Sequence, residues 1–137
     1  MYSKIMVPVD LAHIDRLEKA ITTATDLAKH YGTPICFVGV TLGGPTEVAH
    51  NPEEFAAKLE AFGEAQSSTH GLEIETAAYP SHDPAADLDQ VLIAAAKDKD
   101  ADLIVMASHV PGFKEHIFSS NAGAVASHAD ISVFVVR

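Results

Sequence analysis

Lys4-Ile5-Met6-Val7-Pro8-Val9-Asp10 is a nearly continuous apolar run that stops at a carboxylate. A strand with one face in water alternates polar and apolar residues, whereas a strand covered on both faces, as in a parallel sheet, does not need to. Lys4 to Val9 therefore reads as a first strand buried on both sides. Pro8 marks its end, because proline has no N–H for the ladder. The period then changes. Leu17, Ala20, Ile21, Ala24, Leu27, Ala28 and Tyr31 recur at three- and four-residue steps, which makes one buried helical face. Gly32 is well placed to stop that helix, and Ile35 to Val40 is a second apolar strand that carries Cys36.

The same alternation continues to the end of the chain. After a loop from Thr41 to His50, Asn51-Pro52-Glu53-Glu54 supplies an N-cap, a proline at the first helical position and an acid at the third. Phe55, Leu59 and Phe62 form the inward face of that helix, His70-Gly71 closes it, and Leu72 to Tyr79 is a third strand. Asp83-Pro84 repeats the start signal for a helix burying Leu88, Val91, Leu92 and Ala95. Leu103 to Ala107 is the fourth strand, Ser120 to His128 a short helix, and Ser132 to Val136 the last strand. The order is βαβαβαβαβ. With right-handed crossovers this predicts an α/β fold: a three-layer α/β/α sandwich around a five-stranded parallel sheet in the order 3-2-1-4-5, one domain over residues 1–137. Ligands are expected at the C-terminal strand ends near the switch point, where Pro8-Val9-Asp10 and Met106-Ala107-Ser108-His109 fall on one edge.

Composition narrows the function. The 137 residues are 47% hydrophobic and 20% charged, the range of a globular domain. The formal net charge of −10 repels nucleic acid and anionic lipid, so neither is an expected partner. No apolar run reaches the roughly 20 residues that span a bilayer, and the opening run is too short for a signal peptide. The single cysteine, Cys36, allows no internal disulfide, and the cytoplasm is the expected location.

A small anion remains compatible with an acidic surface, because a helix start offers a local field of unpaired N–H groups. Ser119-Ser120-Asn121-Ala122 opens such a helix, with two hydroxyls beside the main-chain donors. Ala107-Ser108-His109-Val110-Pro111-Gly112 precedes it, and small residues at both ends let a ligand come close to the backbone. The spacing suits phosphate, and it equally suits a serine-capped helix with nothing bound.

These two stretches, with Ala122-Gly123-Ala124-Val125-Ala126-Ser127-His128 and Ile131-Ser132-Val133-Phe134-Val135-Val136-Arg137 behind them, resemble the C-terminal signature of universal stress proteins. Ile5-Met6-Val7-Pro8-Val9-Asp10 resembles the first strand of that family, and the likeness follows the element order along the whole chain. ATP-binding members carry Gly-x-x-Gly, nine residues, then Gly-Ser/Thr. Here Ala107, Val110 and Ser119 stand at the glycine positions, and the connecting loop is one residue shorter. The Ala-Ser-His-x-Pro opening and the Ser-Asn-Ala helix start are similar to a single-domain bacterial subgroup that binds ATP with incomplete glycines. The resemblance implies an adenine nucleotide α-hydrolase-like fold and a site for ATP, ADP or AMP, with or without Mg. In that site Asp10 holds the ribose hydroxyls and Pro8 and Val9 wall the base. Val40 gives backbone contacts to adenine, and Met106 and Ala107 lie beneath ribose and phosphates. His109 and Val110 sit above the phosphates, and Ser119, Ser120, Asn121 and Ala122 cradle them. It also implies a homodimer through Ser132 to Val136, whose apolar edge would otherwise be bare. Arg137 stands at the end of that interface.

Other polar residues are read more plainly. Asp10 is also well placed as a helix N-cap. His109 has no second ligand at metal spacing, so no metal site is expected. His128 suits the negative end of a helix, and Cys36 suits a core. Lys114 is the one lysine in the phosphate loop. No Walker lysine motif and no base paired to a nucleophile occurs, so a nucleotide-dependent regulatory adaptor of the stress response is expected rather than an enzyme. Slow ATP hydrolysis or autophosphorylation is implied only by some relatives. The alternative is a nucleotide-independent dimeric interaction module, motivated by the three missing glycines. A phospho-acceptor response regulator fits worse, because Asp10 lacks an acidic neighbour and Tyr79-Pro80 ends the third strand.

Overall fold

The computed structural model describes residues 1–42, 44–108 and 122–137. Five strands, β1 (Ile5–Pro8), β2 (Ile35–Thr41), β3 (Ile74–Pro80), β4 (Leu103–Ala107) and β5 (Ser132–Val136), form one sheet in the order β3-β2-β1-β4-β5. All four pairings are parallel. The helices are α1 (Glu18–Tyr31), α2 (Pro52–His70), α3 (Pro84–Asp98) and α4 (Ala122–His128). This is the architecture the alternation predicts.

The central strands are apolar for the expected reason. β1 is buried along its whole length, and its successive side chains enter opposite cores. Ile5 and Val7 join Phe37, Leu59 and the α1 residues Ile21 and Ala24 on one side. Met6 joins Val38, Leu92, Ile104 and Val125 on the other. Burying an aliphatic side chain contributes about 1.5–3 kcal/mol, so two cores fed from every central strand supply the main driving force. Cys36 belongs to the second core, and burial pushes its thiol up to about 12, so it stays protonated and unreactive.

Among the described residues, the N-cap at Asn51 and the glycine stop at Gly32 follow the sequence signals, and the cap at Asp83 does not. Asn51 Oδ1 accepts from Glu54 N at 2.8 Å, a working N-cap. Gly32 closes α1 at φ 64°, the left-handed region where a side chain would be strained. Asp83 makes no side-chain cap bond; its backbone carbonyl serves Ala86 N and Asp87 N instead, and the exposed carboxylate is left to solvent. Val91 is half-buried where full burial is expected, because the buried row of α3 runs through Leu88, Leu92, Ala95 and Ala96. His128 Nδ1 lies 3.4 Å from Asp89 Oδ2, so α3 provides it a carboxylate beyond the helix end.

A 3-10 segment, Leu11–Arg16, joins β1 to α1 and is absent from the sequence reading. β5 pairs only with β4, and Phe134 and Val135 are 45% and 37% exposed on this edge strand. No helix among the described residues is long and apolar enough to cross a membrane.

Candidate functional site

A cavity of about 220 Å³ opens at the C-terminal ends of β1 and β2. Val9, just past β1, and Val40, near the end of β2, line it with Leu42, Val48, Phe55 and Leu88. Asp10, Thr41, Thr46 and Glu47 supply the polar part of the wall. The cavity is smaller than the roughly 300–1,000 Å³ of complete ligand sites, so it suits a base and its attached sugar rather than a whole nucleotide. Among the described residues the lining carries two carboxylates, Asp10 and Glu47, and no cation.

Of the residues expected at the site, the structure brings Val9, Asp10 and Val40 together in this wall. Pro8 is buried one residue earlier in β1. Met106 is 1% exposed in the second core, and Ala107 packs against the first. Neither lines the cavity. Ala122 is buried in the second core at the start of α4, so only its main chain is suited to a ligand. His109, Val110, Ser119, Ser120 and Asn121 lie outside the described residues, as does Lys114. No group of three or more His, Cys, Asp or Glu that could hold a metal occurs among the described residues.

Asp10 acts as a cap, as its position after β1 allows. Its Oδ1 accepts from Ala12 N at 3.0 Å and its Oδ2 lies 2.9 Å from His13 Nδ1. The side chain is 9% exposed, which fixes it tightly beside the cavity. An ionised carboxylate has about four lone-pair sites, so two such contacts leave acceptor capacity for a hydroxyl.

The far wall was not legible as a site. Gly39 lets Phe55 reach it: a Cβ there would fall 2.8 Å from Phe55 Cε1 and 3.0 Å from Leu59 Cδ2. A glycine inside a strand often marks such a close approach, and that was the available signal. The loop above is pinned to α2. Thr46 Oγ1 accepts from Val48 N and Ala49 N, both at 3.2 Å, and the Lys58 ammonium donates to the Val48 carbonyl. Glu54 accepts from His50 N and the His50 ring, at 3.1 and 2.9 Å, and pairs with Lys58 at 3.3 Å. The His50 backbone N–H first, then its ring and Lys58, pull the Glu54 carboxyl down to about 2. A depressed carboxyl pins fully above the usual glutamate range and releases as pH falls through about 2.

The fold around this cavity is shared with known proteins. A model of the Universal stress protein family matches residues 1–137. Universal stress protein G of Salmonella typhimurium is 30% identical over 146 residues, covering 100% of both chains. Among solved structures, a universal stress protein from Archaeoglobus fulgidus superposes with a TM-score of 0.73 at 25% identity, covering 100% of each chain. A universal stress protein from the same organism, in complex with dAMP, gives 0.70 at 24% identity, covering 99% of this chain and 98% of that one; at that level the likeness is one of fold. Matched over its full length in sequence and in strand order, this chain belongs to the universal stress protein family.

Proposed function

We propose that this chain binds an adenine nucleotide and acts as a nucleotide-dependent regulatory adaptor of the stress response in the cytoplasm. The carrying observation is the apolar cavity with the Asp10 carboxylate fixed at its wall. Adenine is flat, and its π faces suit the apolar walls of Val9, Val40 and Phe55, while Asp10 offers acceptors to the ribose hydroxyls. The dAMP complex of the Archaeoglobus fulgidus relative supports the ligand class. The phosphates are then left to Ser119, Ser120, Asn121 and Ala122, the residues to which the family resemblance assigns them. ATP, ADP and AMP all fit this reading, and any Mg²⁺ would be held by the nucleotide's own phosphates. The sequence carries no Walker motif, and this reading assigns the chain binding rather than rapid turnover.

Thermal melting with millimolar AMP, ADP and ATP tests the reading. At one hundred times its dissociation constant a ligand adds about 2.7 kcal/mol, a rise of several degrees for a domain of this size. No shift with any of the three nucleotides would leave the second reading, a nucleotide-independent dimeric module. Val110 at a glycine position of the phosphate loop favours that alternative.

Either form is a homodimer through β5. Phe134 and Val135 stand exposed on an edge strand whose outer side faces no other strand of the sheet. Pairing with the same strand of a second copy covers both. Phe134→Asp places like charges face to face, and such juxtaposition costs several kcal/mol, so the dimer constant should weaken roughly a hundredfold or more. Light scattering at micromolar concentration reads this as a shift from two copies to one. A wild-type protein that is already monomeric there refutes the dimer.

A further inference from the structure

We infer that His13 is a positioning residue for nucleotide recognition: it holds the Asp10 carboxylate in the orientation that receives the ribose diol. The inference rests on the nucleotide reading above and names a residue absent from the sequence reading of the site. His13 does not line the cavity. It stands behind Asp10 in the 3-10 segment, and its effect passes through that carboxylate.

Three observations carry it. First, His13 Nδ1 lies 2.9 Å from Asp10 Oδ2, and an ionised carboxylate only accepts, so the ring donates from Nδ1. Second, the backbone is bent to bring this about. His13 has φ −136° and ψ 45° inside the 3-10 segment, which breaks the helical path, while its N–H donates to the Asp10 carbonyl at 3.0 Å. The residue is thus tied to Asp10 twice, once through the main chain and once through the ring. Third, Ala12 N takes the other carboxylate oxygen at 3.0 Å. With one donor on each oxygen, the carboxyl plane cannot turn, and its remaining lone pairs keep one direction. A hydrogen-bonded second residue that fixes a ligand-binding group is the same device that orients metal-binding and catalytic side chains elsewhere. The ring is 26% exposed and Asp10 9%, so the bond is shielded enough to last yet close enough to the opening to matter.

The bond has a chemical consequence for selectivity. A vicinal diol donates two hydrogen bonds at fixed separation, and only a carboxylate of fixed orientation rewards both. An untethered Asp10 rewards them less, while the base pocket of Val9, Val40 and Phe55 is unaffected. His13 therefore governs discrimination between a ribonucleotide and its dideoxy analogue rather than affinity for adenine.

Isothermal titration with AMP and 2′,3′-dideoxyadenosine 5′-monophosphate tests this on the wild type, His13→Ala, His13→Asn and His13→Gln. The wild type should prefer AMP by about tenfold or more, the value of a hydrogen bond to a charged group. His13→Ala should lose most of that preference through weaker AMP binding, with the dideoxy analogue unchanged. His13→Asn places an amide nitrogen at the same bond count as Nδ1 and should restore it; His13→Gln, one carbon longer, should not. A His13→Ala protein that keeps the preference, or binds AMP more tightly, overturns the inference, and so does equal rescue by Asn and Gln. Long-range ¹⁵N NMR of the ligand-free protein reads the bond independently: Nδ1 protonated is expected, and an Nε2–H tautomer with bare Nδ1 overturns it. A wild type with no affinity for AMP overturns the nucleotide reading itself, and the ribose role of His13 falls with it. Wild-type selectivity combined with an indifferent His13→Ala removes only the role of His13.

Discussion

Phe37→Ala should destabilise the protein by about 3–5 kcal/mol, the usual cost of emptying a buried phenylalanine site. Phe37 is fully buried at the middle of β2 and sits level with Val7 on β1 and Thr76 on β3. Its ring stacks on Phe62 of α2 at 5.6 Å between centroids. Truncation therefore removes a contact between the sheet and α2 as well as the transfer energy of the ring. Neighbouring strands are held by ladders on both sides and cannot collapse into the space, which puts the loss at the upper end of the range. For a chain of this length, the melting temperature should fall by roughly 10–15 °C. Phe37→Leu keeps part of the volume and should lose clearly less. Denaturant unfolding of both variants checks this, and a loss below about 1 kcal/mol for the alanine variant would contradict the packing described.

The second large effect is on binding. Asp10→Ala removes the acceptor for the ribose hydroxyls and should weaken AMP roughly 10- to 100-fold, the loss of a charge-assisted hydrogen bond. The same change strips Ala12 N of its cap and costs about 1 kcal/mol of stability. Asp10→Asn separates the two effects. An amide oxygen still accepts from Ala12 N, so the melting temperature should stay near that of the wild type, while the loss of charge still weakens AMP. Titration calorimetry alongside thermal melting reads both quantities. If Asp10→Asn binds AMP as the wild type does, the charge at this position has no part in recognition.

Much of the fold was legible because its two periods are unmixed. A helix such as α1 shows one buried face, Ala20, Ile21, Ala24 and Ala28, and a strand such as β1 shows an unbroken apolar run. Glycine and proline punctuate them where backbone geometry demands, as Gly32 does. The 3-10 segment escaped because its six residues are too few to display a period, and Leu11 and Ile14 alone define no face. The site was legible only along the strands. Val9 and Asp10 follow from a strand end in a parallel sheet, where ligands gather, whereas Val40 follows from the family resemblance. Phe55 and Leu88 were read as core residues, and correctly, since both are buried. Nothing in a helical pattern tells which buried side chain also borders an empty space. That depends on Gly39 letting the Phe55 ring lie against β2, a distance that no spacing encodes.

The position of the cavity carries a mechanical consequence. Phe55 belongs to the core on one side of the sheet and Leu88 to the core on the other, and both border the same space. Whatever fills it rivets the upper and lower slabs of the sandwich together at their shared rim. Amide protons of α2 and α3, on opposite faces, should then slow their exchange in step, so occupancy is broadcast to both outer surfaces at once.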